Sequence, residues 1–148
     1  MADVSYSDSY LKSLGVLDIP QGFMCSVYDS LSTGDGNLSA ADIWEALSIP
    51  AGAVVTEVGI AILTSEVSGT ATADVGLTGV SADGFLDGVN LNAAAGICYN
   101  SLNAATAADT YSSGHYFSSA DTIDVLFNNA MDAGKYMVWC RLFDSKAG

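Results

Sequence analysis

In the stretch IPAGAVVTEVGIAIL, residues 49–63, apolar side chains recur with a period of two. Val54, Thr56, Val58, Ile60 and Ile62 alternate with Val55, Glu57, Gly59, Ala61 and Leu63. A strand sends alternate side chains to opposite faces, and β-branched residues fit a pleated sheet better than a helix, where they lose rotamer freedom. The stretch therefore predicts a strand with Val54, Val58, Ile60 and Ile62 in the interior. Its second face is nearly bare at Gly59 and Ala61, which predicts close approach by backbone, either from this chain or from a neighbour.

The same period recurs elsewhere. GFMCSVYD sets Phe23, Cys25 and Val27 against Met24, Ser26 and Tyr28. ADIWEALS admits a short helix opening at Ser39, but Pro50 would close it within a turn or two. Its position beside the long strand favours a strand, with Ile43, Glu45 and Leu47 against Trp44 and Ala46. In TATADVGLTG, Ala71, Ala73, Val75 and Leu77 share a face, and after the turn TSEVSG a hairpin with the long strand is expected. SADGFLDGVNLN carries Asp83-Gly84 and Asp87-Gly88, each suited to the positive φ of a tight turn. GICYNSL is a short strand, and DTIDVLFN aligns Ile123, Val125 and Phe127. KYMVWCRLF is bulky on both faces, Tyr136, Val138, Cys140 and Leu142 against Met137, Trp139, Arg141 and Phe143. Such a strand is central, or its outer face meets a partner chain. STGDGN, with its turn at Gly34 to Asn37, and NAATAADTYSSG are loops in composition.

Seven to nine short strands with turn signals between them, and no long helix, predict an all-β, two-sheet β-sandwich of jelly-roll-like form. Residues 21–148 form its single domain. Residues 1–20 carry no clean period and are separated by the break Ile19-Pro20-Gln21-Gly22, so they are expected to form an irregular N-terminal arm.

Composition narrows the choice of partners. At 148 residues the chain can bury a core without staples. Only 14% of its residues are charged, against roughly 25% in ordinary soluble domains, so Ser, Thr, Asn and Gly must supply much of the surface polarity. Such a surface suits a protein held in an assembly. Seventeen acidic residues against four basic give a net charge of −13, which argues against nucleic acid and against anionic membranes as partners. No apolar run reaches the 18 or more residues of a membrane span. The N-terminus lacks the basic start and apolar block of a secretion signal, so folding in a cytosol is expected. Cys25, Cys98 and Cys140 are widely spaced and odd in number, which reads as three buried, reduced thiols, with an intermolecular disulfide as the alternative.

Candidate chemistry is sparse. His115 is the only histidine, and beside Tyr116 and Phe117 it reads as a packed or surface residue. A Cys98–His115 nucleophile pair is conceivable, but no nucleophile motif surrounds either residue. Gly-x-Ser-x-Gly, His-Glu-x-x-His and Walker sequences are absent. Oxygen ligands for calcium are plentiful in STGDGN and SADGFLDG, yet neither has the spacing of a calcium loop, and turn formation explains them better. Trp44, Tyr99, Tyr111 and Tyr116 have the ring chemistry to stack on sugars, but they are scattered, which favours packing. The expectation is a protein that is not an enzyme, with no catalytic, cofactor-binding or metal-ligating residue and no cofactor.

The runs Ile49 to Val55, Asp74 to Leu77, Asp83 to Val89, Ala120 to Val125 and Ala133 to Tyr136 resemble small virion structural proteins of tailed bacteriophages, particularly marine and cyanobacterial phages. The likeness covers about residues 41–143 and consists of strand and turn patterns. It implies a β-sandwich protein of the particle: a capsid decoration, or cement, protein that binds and stabilises the major capsid protein shell, or else a tail or fibre subunit. It further implies a homo-oligomer, a trimer, on the capsid surface of a virion assembled in host cytoplasm. A soluble carbohydrate-binding module is the alternative from a different class.

Overall fold

A computed structural model of the chain describes residues 21–30, 38–67, 69–103 and 110–144. Among these, nine strands form two antiparallel sheets. The strands are β1 (Gln21–Asp29), β2 (Ile43–Ile49), β3 (Ala53–Thr64), β4 (Thr72–Leu77), β5 (Ser81–Asn90), β6 (Cys98–Asn100), β7 (His115–Tyr116), β8 (Asp121–Phe127) and β9 (Lys135–Asp144). The larger sheet runs β1-β9-β3-β6, with β7 also paired to β3, and the smaller runs β2-β8-β4-β5. Because β6 and β7 take different lengths of the same strand, they fill one edge position. The chain changes sheet at every connection except β4 to β5 and β6 to β7. The two-sheet sandwich expected from periodicity is thus the fold. The N-terminal arm, the Gly34 to Asn37 turn and most of the NAATAAD loop lie outside the described residues.

One pairing differs from expectation. β4 is not the hairpin partner of β3; it lies in the opposite sheet between β5 and β8, and β3 pairs with β9, β6 and β7. The sequence TSEVSG does turn the chain, but the turn crosses the sandwich, and its anchor is Glu66. This carboxylate is buried and accepts backbone N–H groups from Val67 at 2.8 Å, Asp132 at 3.1 Å, Ala133 at 3.2 Å and Gly134 at 3.0 Å. It ties the β3–β4 crossing to the β8–β9 crossing. An acid in a turn looks like a solvated charge in sequence, whereas here it satisfies donors that burial would otherwise leave unpaired.

The core lies between the sheets. Val58, Ile60 and Ile62 of β3 face Val75, Phe85, Leu86, Ile123, Val125 and Phe127 of the smaller sheet, with Tyr136, Val138, Cys140 and Leu142 of β9 beside them. Val54, expected in the interior, is only half-buried, and Val55 takes its place with no exposed surface. The cause is a bulge between Val55 and Glu57 in the β3–β9 register, which inserts a residue and flips the alternation. A second bulge, between Glu45 and Leu47 of β2, does the same. Leu47 and Ile49 point inward while Ile43 and Glu45 are exposed, so Ile43 and Leu47 do not share a face.

The Asp-Gly pairs also depart from the turn reading. The β4–β5 hairpin turns at residues 78–80, with Gly79 at φ 81°, and Asp124 accepts from the backbone N–H and hydroxyl of Thr78 to hold that turn. Gly88, at φ 65°, sits in an irregularity of the β4–β5 register, and its N–H donates to Asp74 at 2.8 Å. Gly84 is buried within β5, where a Cβ would overlap the Tyr111 ring. One Asp-Gly pair therefore bends a strand and the other makes room for an aromatic side chain.

Two stability outcomes follow. Ile60→Asp places an unpaired charge between the sheets and should abolish cooperative unfolding, read by circular dichroism during a urea titration. Glu66→Ala strips the acceptor from four buried or half-buried N–H groups and should cost about 3–5 kcal/mol, whereas Glu66→Gln, which keeps one acceptor oxygen, should cost less.

Candidate functional site

The outer face of the larger sheet is the unusual surface of this molecule. An antiparallel sheet with one solvated face ordinarily reads polar on that side. Here β1 presents Phe23, Cys25 and Val27 outward, paired in register with Arg141, Trp139 and Met137 of β9. Those three in turn oppose Glu57, Gly59 and Ala61 of β3, and β6 extends the rows with Asn100 and Cys98. Phe23 is 64% exposed and Val27 49%. Ion pairs close the stripe at both ends: Arg141 to Glu57 at 3.8 Å and Lys135 to Asp29 at 3.3 Å. Between those two rows and across β1, β9 and β3 it measures about 20 Å by 14 Å, on the order of 300 Å² in plane, from strand rise and spacing. Apolar patches of that size on single chains are commonly functional.

The bare side of β3 has its explanation in β9. Trp139 lies across Gly59, where any Cβ would overlap the indole, and the indole stacks on Phe23 with ring centroids 5.4 Å apart and planes at 12°. Gly59 is thus covered by a side chain, not by backbone as its sequence suggested. The glycine sets Trp139 flat and aligns three strands into one continuous surface. Ala61, 5% exposed, is covered as well.

The opposite outer face, on the smaller sheet, carries different chemistry. Glu45, Asp74 and Asp124 lie on adjacent strands β2, β4 and β8, with Asp83 and Asp87 exposed on β5. That sheet contains no Lys or Arg. Asp124 is nearly buried by the Thr78 contacts, but the others leave this face acidic.

The three thiols, expected to be buried, divide. Cys25 and Cys98 are exposed on the outer face of the larger sheet, because period two places them opposite the core, and only Cys140 is buried. All three are free thiols. Burial pushes the Cys140 thiol up to about 11, partly offset by a hydrogen bond with the Met24 backbone. Burial, and then the neighbouring Glu66 charge, also holds the Tyr136 phenol well above the ordinary tyrosine range.

The remaining sequence candidates do not converge. Cys98 pairs opposite Ala61 and His115 opposite Val55, six residues apart along β3, which is about 20 Å at strand rise and far beyond a hydrogen bond. His115 instead packs between Tyr111, at 4.2 Å between ring centres, and Phe117, at 4.9 Å. Trp44 and Tyr99 pack against the core, Tyr111 is buried on Phe85, and only Tyr116 is freely exposed. These four rings do not form a platform for a sugar. Among the described residues no cluster of three or more His, Cys, Asp or Glu side chains is arranged to hold a metal ion. What sequence reasoning missed as a site is the aligned stripe of Phe23, Val27, Met137 and Trp139. The available signal was that GFMCSVYD and KYMVWCRLF are apolar on both faces.

No protein-family model and no curated protein sequence significantly matches the chain. Solved structures do match. A chain in the capsid asymmetric unit of cyanophage Pam1 aligns with a TM-score of 0.61 at 16% identity, covering 84% of this chain and 85% of that one. A chain in the capsid of Ralstonia phage GP4 aligns at 0.58 and 14% identity, covering 88% and 86%. A third, from the acid-stable capsid structure of Helicobacter pylori bacteriophage KHP30, aligns at 0.58 and 12% identity, covering 83% and 86%. The shared property is the fold. It extends over more than four-fifths of every chain compared, so it is the whole sandwich that is alike.

Two measurements probe this surface. In the native protein at neutral pH a thiol reagent should leave Cys140 unmodified until the chain unfolds, because it is the one buried thiol of the three. Unfolded Cys140 ionises near pH 9 while the native thiol stays protonated, so its contribution to stability is whole below pH 9 and is lost as pH rises toward 11. Gly59→Ala should displace the Trp139 indole from Phe23. The expected readout is a red shift of Trp139 emission in a Trp44→Phe background, with a loss of about 1–3 kcal/mol, as for overpacking.

Proposed function

We propose that this chain is a non-enzymatic structural protein of a bacteriophage virion. The observation that carries this reading is the whole-length fold likeness to chains found in three phage capsid structures, from three phages with different hosts. The chemistry of the surface supports it: an apolar stripe on one side, an acidic face on the other, and no converging set of catalytic groups among the described residues. Within that role, the reading best supported is a capsid decoration protein that binds the major capsid shell, assembled as a homo-oligomer on the capsid surface. The trimer is the stoichiometry that the sequence resemblance implies. A tail or fibre subunit is the rival within the same class, and copy number separates the two.

The test is quantitative mass spectrometry of purified particles together with add-back to shells lacking this chain. A decoration protein should be present in hundreds of copies per particle and should raise the temperature at which shells release their contents. A few dozen copies or fewer would move the chain to the tail. Absence from the particle would overturn the virion reading.

A further inference from the structure

We propose that the outer face of the β1-β9-β3-β6 sheet packs against a second copy of this chain. The proposal rests on the structural role above and names the surface through which its copies meet.

Charge selects the occupant. The chain carries 17 acidic and 4 basic residues, so two copies repel one another over most of their surfaces. The outer face of the larger sheet is the exception. It presents two acids, Asp29 and Glu57, and two bases, Lys135 and Arg141, joined as ion pairs at 3.3 and 3.8 Å. Its sum is zero, which leaves the other fifteen acids and two bases elsewhere on the chain. The smaller sheet has Glu45 and Asp74 on its outer face, and Asp83 and Asp87 exposed on β5, with no Lys or Arg in its strands. A like-charged copy therefore meets no net repulsion on the first face and meets it in full on the second. A basic partner would be drawn to the second face and gains nothing from the first.

The composition of the stripe agrees with that occupant. Interface cores are depleted in charge and enriched in aromatic residues, Met and Arg. Here Trp139, Met137 and Val27 lie between the two charged pairs, and Phe23, in the row of Arg141 and Glu57, stacks on Trp139. Trp139 is already fixed by Gly59 beneath it and Phe23 beside it, so burying it on a partner costs little side-chain freedom. Its three-strand area of about 300 Å² is well under half of one partner's share in a standard interface, so β6 and the neighbouring edge must add to it. In a closed ring of copies, each copy would offer one part of the face and receive a neighbour on another.

The test uses the full-length chain and its own thiols as reporters. Cys25 and Cys98 sit on the face, and Cys140 lies on the opposite side of the same sheet as an internal control. In wild-type protein, sedimentation velocity should show a dimer or higher oligomer, with Cys25 and Cys98 alkylated at least tenfold more slowly than in the variant Phe23→Asp/Val27→Asp. Both substituted side chains are about half exposed or more, so the variant should keep its fold by circular dichroism and sediment as a monomer. Three results would overturn the proposal: a wild-type monomer with both thiols open; a wild-type monomer with both thiols shielded, meaning the chain covers its own face; or a variant that remains oligomeric. Add-back to capsid shells reads the virion role separately. An oligomer that binds no shell keeps this proposal and removes that role, whereas a monomer that shields its thiols only on binding a shell does the reverse.

Discussion

The pairing of β9 with β3 is the constraint from which the other features follow. It is the central ladder of the larger sheet, running from Lys135 opposite Thr64 to Asp144 opposite Ala53. Both strands are apolar on both sides. One set of side chains, Val58, Ile60 and Ile62 with Tyr136, Val138 and Cys140, closes the sandwich. The other set, Gly59 and Ala61 with Met137 and Trp139, has no second sheet covering it among the described residues. A register slip of one residue would exchange the two sets, so the interior and the exposed stripe are specified by the same alignment. That is why the outer surface is apolar without being loose: it inherits its order from the ladder that makes the core.

Much of this was legible in the chain because period two is a property of the backbone. The strands around Phe23, Ile43, Val58, Val75, Ile123 and Val138 all stand where alternation put them, and the inner faces of β4, β8 and β9 agree residue by residue. Failures cluster where one extra residue enters a strand. The bulges near Thr56 and Ala46 are invisible to a pattern of apolar and polar positions, so Val54 and Val55, and Ile43 and Leu47, are misassigned. The sheet partner of β4 was equally out of reach, since a turn such as TSEVSG fits a hairpin as well as a crossing. What decides between them is Glu66, whose partners lie some 66 to 68 residues further along the chain.

Of the candidate site, sequence yielded the ingredients but not their assembly. Three widely spaced cysteines, odd in number, suggest buried thiols, and Cys140 obeys; Cys25 and Cys98 do not, because each falls on the half-period facing away from the core. Gly59 advertised a close approach but not its occupant, since no local pattern links it to Trp139, eighty residues away. Net charge was plain from composition, while its partition into an acidic face and a balanced one needed the pairing of Glu57 with Arg141 and Asp29 with Lys135. The alignment with capsid chains at 12–16% identity shows how little of this fold depends on particular side chains. The stripe on the larger sheet, by contrast, depends on a few of them.

The most direct examination of this account is an electron cryomicroscopy reconstruction of the assembled particle at a resolution that traces side chains. Trp139 and Phe23 should then be found sealed against protein from a neighbouring copy, with Glu45 and Asp87 turned to a different environment. Density in which Trp139 and Phe23 face open solvent while the acidic sheet makes the contacts would contradict it.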